Sequence, residues 1–467
     1  MATSENDNSR RRFLKNSSLV GLGAVLGAGI APSVFAAGNS AAKVPAVLGG
    51  QPAWAKSKWV KWPIWNPETD EKRVLEVLRS GVWSRSSVVN EFEKEWAKAV
   101  GAARCLTTTN GTNALIVAIN QLRIGAGDEV LVTPYTFIAT IQAILANGAM
   151  PVFVDVDRAT FQIDPSKIEA KITPRTKAIL PVHILGLPAD MDSIMAIAKK
   201  HNLLVIEDAC QAPLAEVNHQ KVGTIGNAGC YSFQNSKNIP IGEGGAIVSN
   251  DNEFMDRCFS YHNLGLPYGT AISPWGPGGV MHGGKTRMTE YQAAIGLAQL
   301  QRLDAQTTTR NQNAAHLKGK IQQLPGIMPY KLYDNVTRAA FHLFGFRVDE
   351  SAFKGLSRDN FVKALQAEGI PASTGYTPLH TQPFIRETFE TAGYKKTYSK
   401  KELNYKTFIE KNDCPQSDKL CTEMVWITQN VLLNSKEDLD TIAGAIEKIH
   451  ANAESIQQAA IKNTAKK

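Results

Sequence analysis

The stretch 203–249 places a carboxylate, a lysine and a glycine-rich turn where they can act together. Leu203-Leu204-Val205-Ile206 is a short apolar run that ends on Glu207-Asp208. Tyr231-Ser232-Phe233-Gln234-Asn235-Ser236 leads to Lys237, and Gly242-Glu243-Gly244-Gly245 follows. Such apolar runs, bounded by Gly and polar residues, read as buried strands of a parallel sheet. In open α/β sheets ligands sit beyond the carboxyl ends of the strands, and Asp208 and the 232–237 segment occupy such ends. A lysine amine can form a Schiff base with an aldehyde. A nearby acid can keep a pyridine nitrogen protonated, and hydroxyls with backbone N–H groups can hold a phosphate dianion. Those are the requirements of pyridoxal 5'-phosphate (PLP), whose ring serves as an electron sink. Lys237 alone carries little, because most lysines are solvated surface charges; its setting carries the reading.

A second stretch offers a phosphate site. Arg104-Cys105-Leu106-Thr107-Thr108 reads as a strand, Thr109-Asn110-Gly111-Thr112-Asn113 as a turn, and a helix follows with Leu115, Ile119 and Leu122 on one face. Free N–H groups and the positive end of a helix dipole converge at such a turn. A plain N-capping turn is the competing reading.

The elements that must position these residues alternate. Strands are expected at 129–134, 151–155 and 178–182. Helices are expected at 68–80, at 89–100 with Phe92, Trp96 and Val100 on one stripe, at 138–146, and around Met191, Ile194 and Ala198 behind an Asp190 cap. Strands alternating with helices indicate parallel βαβ units, hence an α/β fold. A helix beginning at Glu290 is expected to end at Leu303, and from about Ala305 the pattern changes. Another long helix should reach Gln323, then 341–348 alternates as a half-buried strand, and Ser357 caps a helix through Ala367. The 45–50 segment reads as an extended arm, Trp59, Trp62 and Trp65 as packing anchors, and the tail after Ile456 as frayed.

The chain has 467 residues, 43% hydrophobic and 20% charged, which suits a folded enzyme rather than a disordered chain. The surplus of +8 is mild, and no basic block with interleaved aromatics points to nucleic acid. Ser9-Arg10-Arg11-Arg12-Phe13-Leu14-Lys15 matches the twin-arginine export pattern. A weakly apolar stretch and the small-residue site Val34-Phe35-Ala36 follow. The apolar stretch is too short and too rich in Gly and Ala for a membrane span in the mature chain, so the expectation is a periplasmic or otherwise extracytoplasmic enzyme. Six cysteines show no zinc spacing; buried thiols are the default, and Cys414 and Cys421 are near enough in sequence to pair in an oxidising compartment.

Three segments carry a resemblance. Glu207-Asp208-Ala209-Cys210-Gln211-Ala212, Ser232-Phe233-Gln234-Asn235-Ser236-Lys237-Asn238 and Gly242-Glu243-Gly244-Gly245-Ala246 resemble the signature of the DegT/DnrJ/StrS-type sugar aminotransferases. These are fold-type-I PLP enzymes. The Cys-Gln and Phe-Gln details are most similar to the aminohydroxybenzoate synthase and inosose aminotransferase branch. The similarity runs from about Val44 to the C-terminus. Beside the signal segment at 1–36 read from the twin-arginine pattern, it implies an arm and first helix at 37–90, a large PLP-binding domain at 91–304 with a mostly parallel sheet flanked by helices, and a smaller α+β domain at 305–467.

The same resemblance assigns roles. Lys237 carries the Schiff base and moves the proton, and Asp208 pairs with the ring nitrogen. Gln211 borders the ring, Phe137 stacks on it, and Ser232, Thr112 and Asn113 take the phosphate. Asn263 reaches the phosphate of a neighbouring subunit, which implies a homodimer with shared sites. Arg287 and His380 are the candidate substrate contacts, with a structural turn histidine as the alternative for His380. Lys285-Thr286 stands where the family usually has Asn-Tyr. No metal is implied. The implied reaction moves an amino group from glutamate or glutamine to a keto-sugar or keto-cyclitol. Two other readings compete: a PLP-dependent sugar dehydratase, whose relatives carry His in place of the lysine that is present here, and a non-catalytic exported sugar-binding protein on the same scaffold.

Overall fold

The computed structural model describes residues 43–54 and 59–464, and the twin-arginine segment lies outside the described residues. The strands are, in chain order, β1 (Arg104–Thr108), β2 (Glu129–Val132), β3 (Met150–Phe153), β4 (Thr176–Leu180), β5 (Leu204–Asp208), β6 (Glu216–Val217), β7 (Gln220–Lys221), β8 (Ala228–Ser232), β9 (Gly245–Ser249), β10 (Ile327–Pro329), β11 (Val336–Arg338), β12 (Leu343–Val348), β13 (Ala372–Thr374) and β14 (Met424–Thr428). Seven form one sheet in the order β1-β9-β8-β5-β4-β2-β3. The pairs β2/β3, β2/β4, β4/β5 and β5/β8 are parallel, while β9 runs antiparallel to both β8 and β1. Six strands therefore end at one edge, and β9 begins there.

Because successive side chains point to opposite faces, each strand feeds two cores. Val130, Val132, Ala178, Leu180, Ile206 and Ile247 face one core; Leu131, Ile179, Val205, Ala246 and Val248 face the other. Helices α1 (Pro67–Ser80), α2 (Ser87–Val100), α3 (Gly111–Gln121), α4 (Ile138–Ala146), α5 (Met191–His201), α6 (Asn252–His262) and α7 (Glu290–Ile321) accompany the sheet. The first core is covered by α3, α4 and α6 through Leu115, Ile119, Ile141, Ile144 and Phe254. The second is covered by α2 and α5 through Phe92, Trp96, Val100, Met191, Ile194 and Ala198. Phe92 and Trp96 meet Phe233 edge-on at 5.4 and 5.0 Å, so the stripe on α2 props the backbone just beyond Ser232.

A second, four-stranded antiparallel sheet, β10-β12-β14-β13, lies C-terminal, and a small sheet, β11-β6-β7, lies apart. Several expectations change. The helices expected on either side of residue 304 are one 32-residue helix, α7, since neither Gly nor Pro interrupts 297–318. Residues 343–348 keep the expected alternation, with Phe344, Phe346 and Val348 buried and Leu343 and Arg347 of the other face half-buried. The 45–50 segment is not extended: Ala46–Leu48 is a single 3₁₀ turn. Glu368 holds that segment, accepting from the N–H groups of Ala46 and Ala53 at 2.8 and 2.7 Å. The tail does not fray at Ile456, which is buried in the helix Ala453–Thr464. Cys414 and Cys421 are separate buried thiols, so the option of a pair is not taken. Among the described residues no helix is long and apolar enough to cross a membrane, and no cluster of His, Cys, Asp and Glu could hold a metal ion.

Candidate active site

Strand register brings the site together before any side chain is considered. Thr108 at the end of β1 pairs with Gly245, and Gly245 pairs with Ser232 at the end of β8. One strand over, Asp208 closes β5, with Cys230 of β8 opposite it. The phosphate-type turn, the serine and the acid thus share one edge of the sheet, and the loop 233–244 carrying Lys237 leaves and returns there.

The turn fits only glycine at two points. A Cβ on Gly111 would lie 2.8 Å from the Cβ of Ser232 and 2.9 Å from Sγ of Cys210, and one on Gly245 would lie 2.4 Å from the carbonyl of Asn110. Both are far inside van der Waals contact, so the missing methyls let the start of α3 close onto Ser232. Asn110 caps α3, its side chain accepting from Asn113 N–H at 2.8 Å. Asn113 Nδ2 donates to Thr109 Oγ1 at 2.6 Å. The first N–H groups of α3, with Thr112 and the Ser232 hydroxyl beside them, suit a phosphate dianion.

Asp208 is buried and held on both oxygens: Thr140 Oγ1 donates to Oδ2 at 2.8 Å, and Cys210 N–H to Oδ1 at 3.2 Å. A carboxylate fixed in a low-dielectric site favours a protonated ring nitrogen opposite it. Its neighbour Glu207 has a structural task. It accepts from the N–H groups of Gly223, Ile225 and Gly226 at 2.6–2.8 Å and pairs with His183 Nε2 at 3.0 Å. His183 Nδ1 accepts from Ala189 N–H, so its proton sits on Nε2 and is donated to Glu207.

Lys237 is half-buried at this edge. Burial lowers its pKa from the usual 10.5, with Cys210 and Asp208 pulling the other way, so the neutral amine is reached at lower pH than in water. Burial and Asp208 push the Cys210 thiol well up, and it stays protonated. Gln211 is anchored at both ends, Oε1 accepting from Leu185 N–H and Nε2 donating to the Tyr376 hydroxyl, each at 2.9 Å. Phe137 stands at the N-cap of α4, the helix that supplies Thr140, with its ring 55% exposed.

The remaining candidates stand apart. Arg287 Nη1 donates to Asn263 Oδ1 at 3.4 Å, so these two satisfy one another. The bond from Thr109 N–H to Thr286 O, 2.9 Å, lays their segment beside the phosphate turn of the same chain. His380 is 1% exposed, packed edge-on against Phe153 with Nε2 3.6 Å from Asp418. It sits as a packed turn residue, not as a presented substrate contact; Tyr376 of the same turn is the one that touches Gln211. Sequence reasoning also missed Thr140 and the His183–Glu207 pair. Their partners are distant in the chain, and a threonine inside an apolar helix gives no signal of what it faces.

The glycine cradle, the doubly held acid and the half-buried lysine suit PLP. A family model described as the DegT/DnrJ/EryC1/StrS aminotransferase family matches residues 66–404. The chain belongs to the DegT/DnrJ/EryC1/StrS aminotransferases. It is therefore a PLP-dependent aminotransferase. It is 35% identical over 420 residues to a putative L-glutamine:3-amino-2,3-dideoxy-scyllo-inosose aminotransferase of Micromonospora echinospora, covering 87% of this chain and 97% of that one. It is 38% identical over 340 residues to a spore coat polysaccharide biosynthesis protein of Bacillus subtilis, covering 72% and 86%. The crystal structure of 3-amino-5-hydroxybenzoic acid synthase superposes with a TM-score of 0.72 at 31% identity, over 85% of this chain and 99% of that one. Members of this DegT family thus match both the fold and the branch that the Cys210-Gln211 and Phe233-Gln234 details suggested.

Proposed function

We propose that this aminotransferase carries an amino group from glutamine or glutamate to a keto-cyclitol or keto-sugar, working as a homodimer outside the cytoplasm. The Lys237–Asp208 arrangement carries the catalytic part of that reading, and the inosose aminotransferase similarity over nearly the whole relative supports the substrate class. When bound, PLP supplies an electron sink for carbanion chemistry. The chain supplies the rest. The first N–H groups of α3 and the Ser232 hydroxyl anchor the phosphate, Asp208 holds charge at the ring nitrogen, and Gln211, pinned by Leu185 and Tyr376, borders the ring. Lys237 Nζ, its amine made less basic by burial, would take the proton from the donor's α-carbon and deliver it to C4′ of the cofactor, and run the reverse transfer with the acceptor.

The presence of Lys237 disfavours the dehydratase reading. A homodimer is supported by the exposed apolar side chains Leu264, Leu266, Ile272 and Trp275 in the segment that follows Asn263, Trp275 being 94% exposed. Export by the twin-arginine route is supported by Arg10-Arg11-Arg12-Phe13-Leu14 and by the physical need to export a tightly held cofactor inside a folded protein.

The test is to reduce the purified holoenzyme with borohydride and map its peptides, then to assay L-glutamine and L-glutamate against inososes and nucleotide-linked keto-sugars. A pyridoxyl label on Lys237 and amination of one of these ketones are expected, with both lost in Lys237→Ala. A label elsewhere, or a labelled enzyme that aminates none of them, overturns the reading.

A further inference from the structure

The turn that carries Lys237 is anchored unevenly. Asn235 and Ser236, just before it, are exposed. Asn238, just after it, is buried, with Nδ2 donating to Ala340 O at 2.8 Å. The N–H of Lys237 donates to Gln234 O within the turn, at 2.8 Å. Its carbonyl is held from outside the turn: the indole N–H of Trp62 donates to it at 3.2 Å. A side chain from the N-terminal arm thus fixes the peptide from which the reactive amine hangs.

Trp62 is itself held on every side. Two residues before it, Val60 donates its N–H to Asn434 Oδ1 at 3.2 Å and accepts from Asn430 Nδ2 at 2.6 Å. Two residues after it, Ile64 O accepts from Gln299 Nε2 at 2.9 Å. The face of the ring meets Arg310 of α7, whose guanidinium lies 5.3 Å from the ring centroid. Arg310 is 0% exposed. Its Nε and Nη2 donate to Gln429 Oε1 at 3.0 and 2.5 Å, and Nη1 has no partner. Among the described residues no carboxylate pairs with it. Burial pushes its pKa down to about 9, so at neutral pH it is still a cation. The negative face of an indole attracts such a charge, and more strongly once water is excluded. Sealed from solvent, Arg310 touches no substrate. What it can do is fix the plane of Trp62, and with it the direction of the indole N–H.

We propose that Trp62, braced by Arg310, is a positioning residue for Lys237. The amine must meet the cofactor aldehyde and then carry a proton between two carbons. Placement of its backbone therefore bears on rate more than on substrate affinity, and an error of about 1 Å can cost about a hundredfold. The inference rests on the aminotransferase reading and adds to it what aims the lysine.

The test compares wild type with Trp62→Phe, which keeps a ring over Arg310 and deletes the N–H. In apoprotein, amide hydrogen exchange reports on the turn without any cofactor. Loss of one hydrogen bond should speed exchange across 234–241 by about 2–12-fold and leave β2 and β5 unchanged. In holoenzyme, loss of the visible cofactor band on adding L-glutamine or L-glutamate gives a limiting rate and a half-saturating concentration. The rate should fall by a similar factor, with half-saturation within about twofold. Arg310→Met should produce the same two changes and, acting through the ring, add nothing further to Trp62→Phe. Unchanged exchange at 234–241 overturns the brace, as does a rise shared equally by β2 and β5. A limiting rate within about 1.5-fold, or a defect confined to half-saturation, overturns the positioning role. Additive effects in the double variant overturn the part given to Arg310. If one single variant does not fold, the other decides, since both changes are required in each. If wild type bears the band and neither amino acid discharges it, the donor half of the functional reading falls, and exchange in apoprotein still decides the brace.

Discussion

Gly111→Ala isolates the geometry of the phosphate cradle. The added methyl meets Ser232 Cβ at 2.8 Å and Cys210 Sγ at 2.9 Å, where ordinary contact is about 3.5–4.0 Å. The start of α3 must therefore withdraw by about 0.7–1.2 Å. Charge-assisted N–H···O bonds of about 2.7–2.9 Å then stretch to roughly 3.5 Å or more, beyond useful length. One such bond is worth about 1.5–3 kcal/mol, so affinity for PLP should fall about 10–150-fold. Two stability effects oppose one another: alanine is the better helix former by about 1 kcal/mol, and overpacking costs about 1–3 kcal/mol. The melting temperature of the apoprotein should consequently move by only about 2 °C while cofactor affinity collapses. The assay is a PLP titration of apoenzyme by fluorescence quenching, beside a thermal melt. Affinity within twofold of wild type refutes the cradle, and a fall in affinity that only mirrors gross unfolding refutes the argument from close approach.

Three further outcomes follow from named contacts. Asp208→Asn removes the charge from the ring nitrogen and should lower kcat by at least about a hundredfold, whereas Thr140→Val, which deletes the 2.8 Å bond to Asp208, should cost only about tenfold; equal effects would sink the ranking, and steady-state kinetics decides. Glu207→Gln keeps the shape but breaks up a buried carboxylate serving three N–H groups and His183, so unfolding should come about 3–6 °C lower in calorimetry. His262, buried and lowered to about 4 from 6.5, binds its proton more readily unfolded, so stability should fall as pH drops from about 6.5 to 4, by on the order of 3 kcal/mol; denaturant titrations of wild type and His262→Gln across that window should differ in slope, and parallel curves would refute the assignment.

Much of the large sheet and its helices was legible because local pattern and tertiary demand agree there. The Phe92–Trp96–Val100 stripe is buried as its spacing required, α4 and the Ser357-capped helix fall at the expected residues, and Asp208 and Ser232 stand at strand ends. What was not legible depends on distant partners. The break expected near residue 304 had no local cause, since neither Gly nor Pro interrupts 297–318, and α7 runs straight through. His380 and Tyr376 share one turn, and only packing against Phe153 or Gln211 tells them apart.

The lone reversed strand, β9, has a consequence for how this scaffold can vary. A parallel β9 would force the chain from Ser232 back across the sheet in a long crossover. Reversal instead lets the lysine-bearing segment be a closed excursion with both feet planted on adjacent strands. The exposed crown of that excursion, Asn235 and Ser236, can therefore change, while Ile239 and Ile241 in the core and the bonds from Asn238 to Ala340 and from Gln292 to Glu243 keep the reactive amine at a set height over the anion cradle.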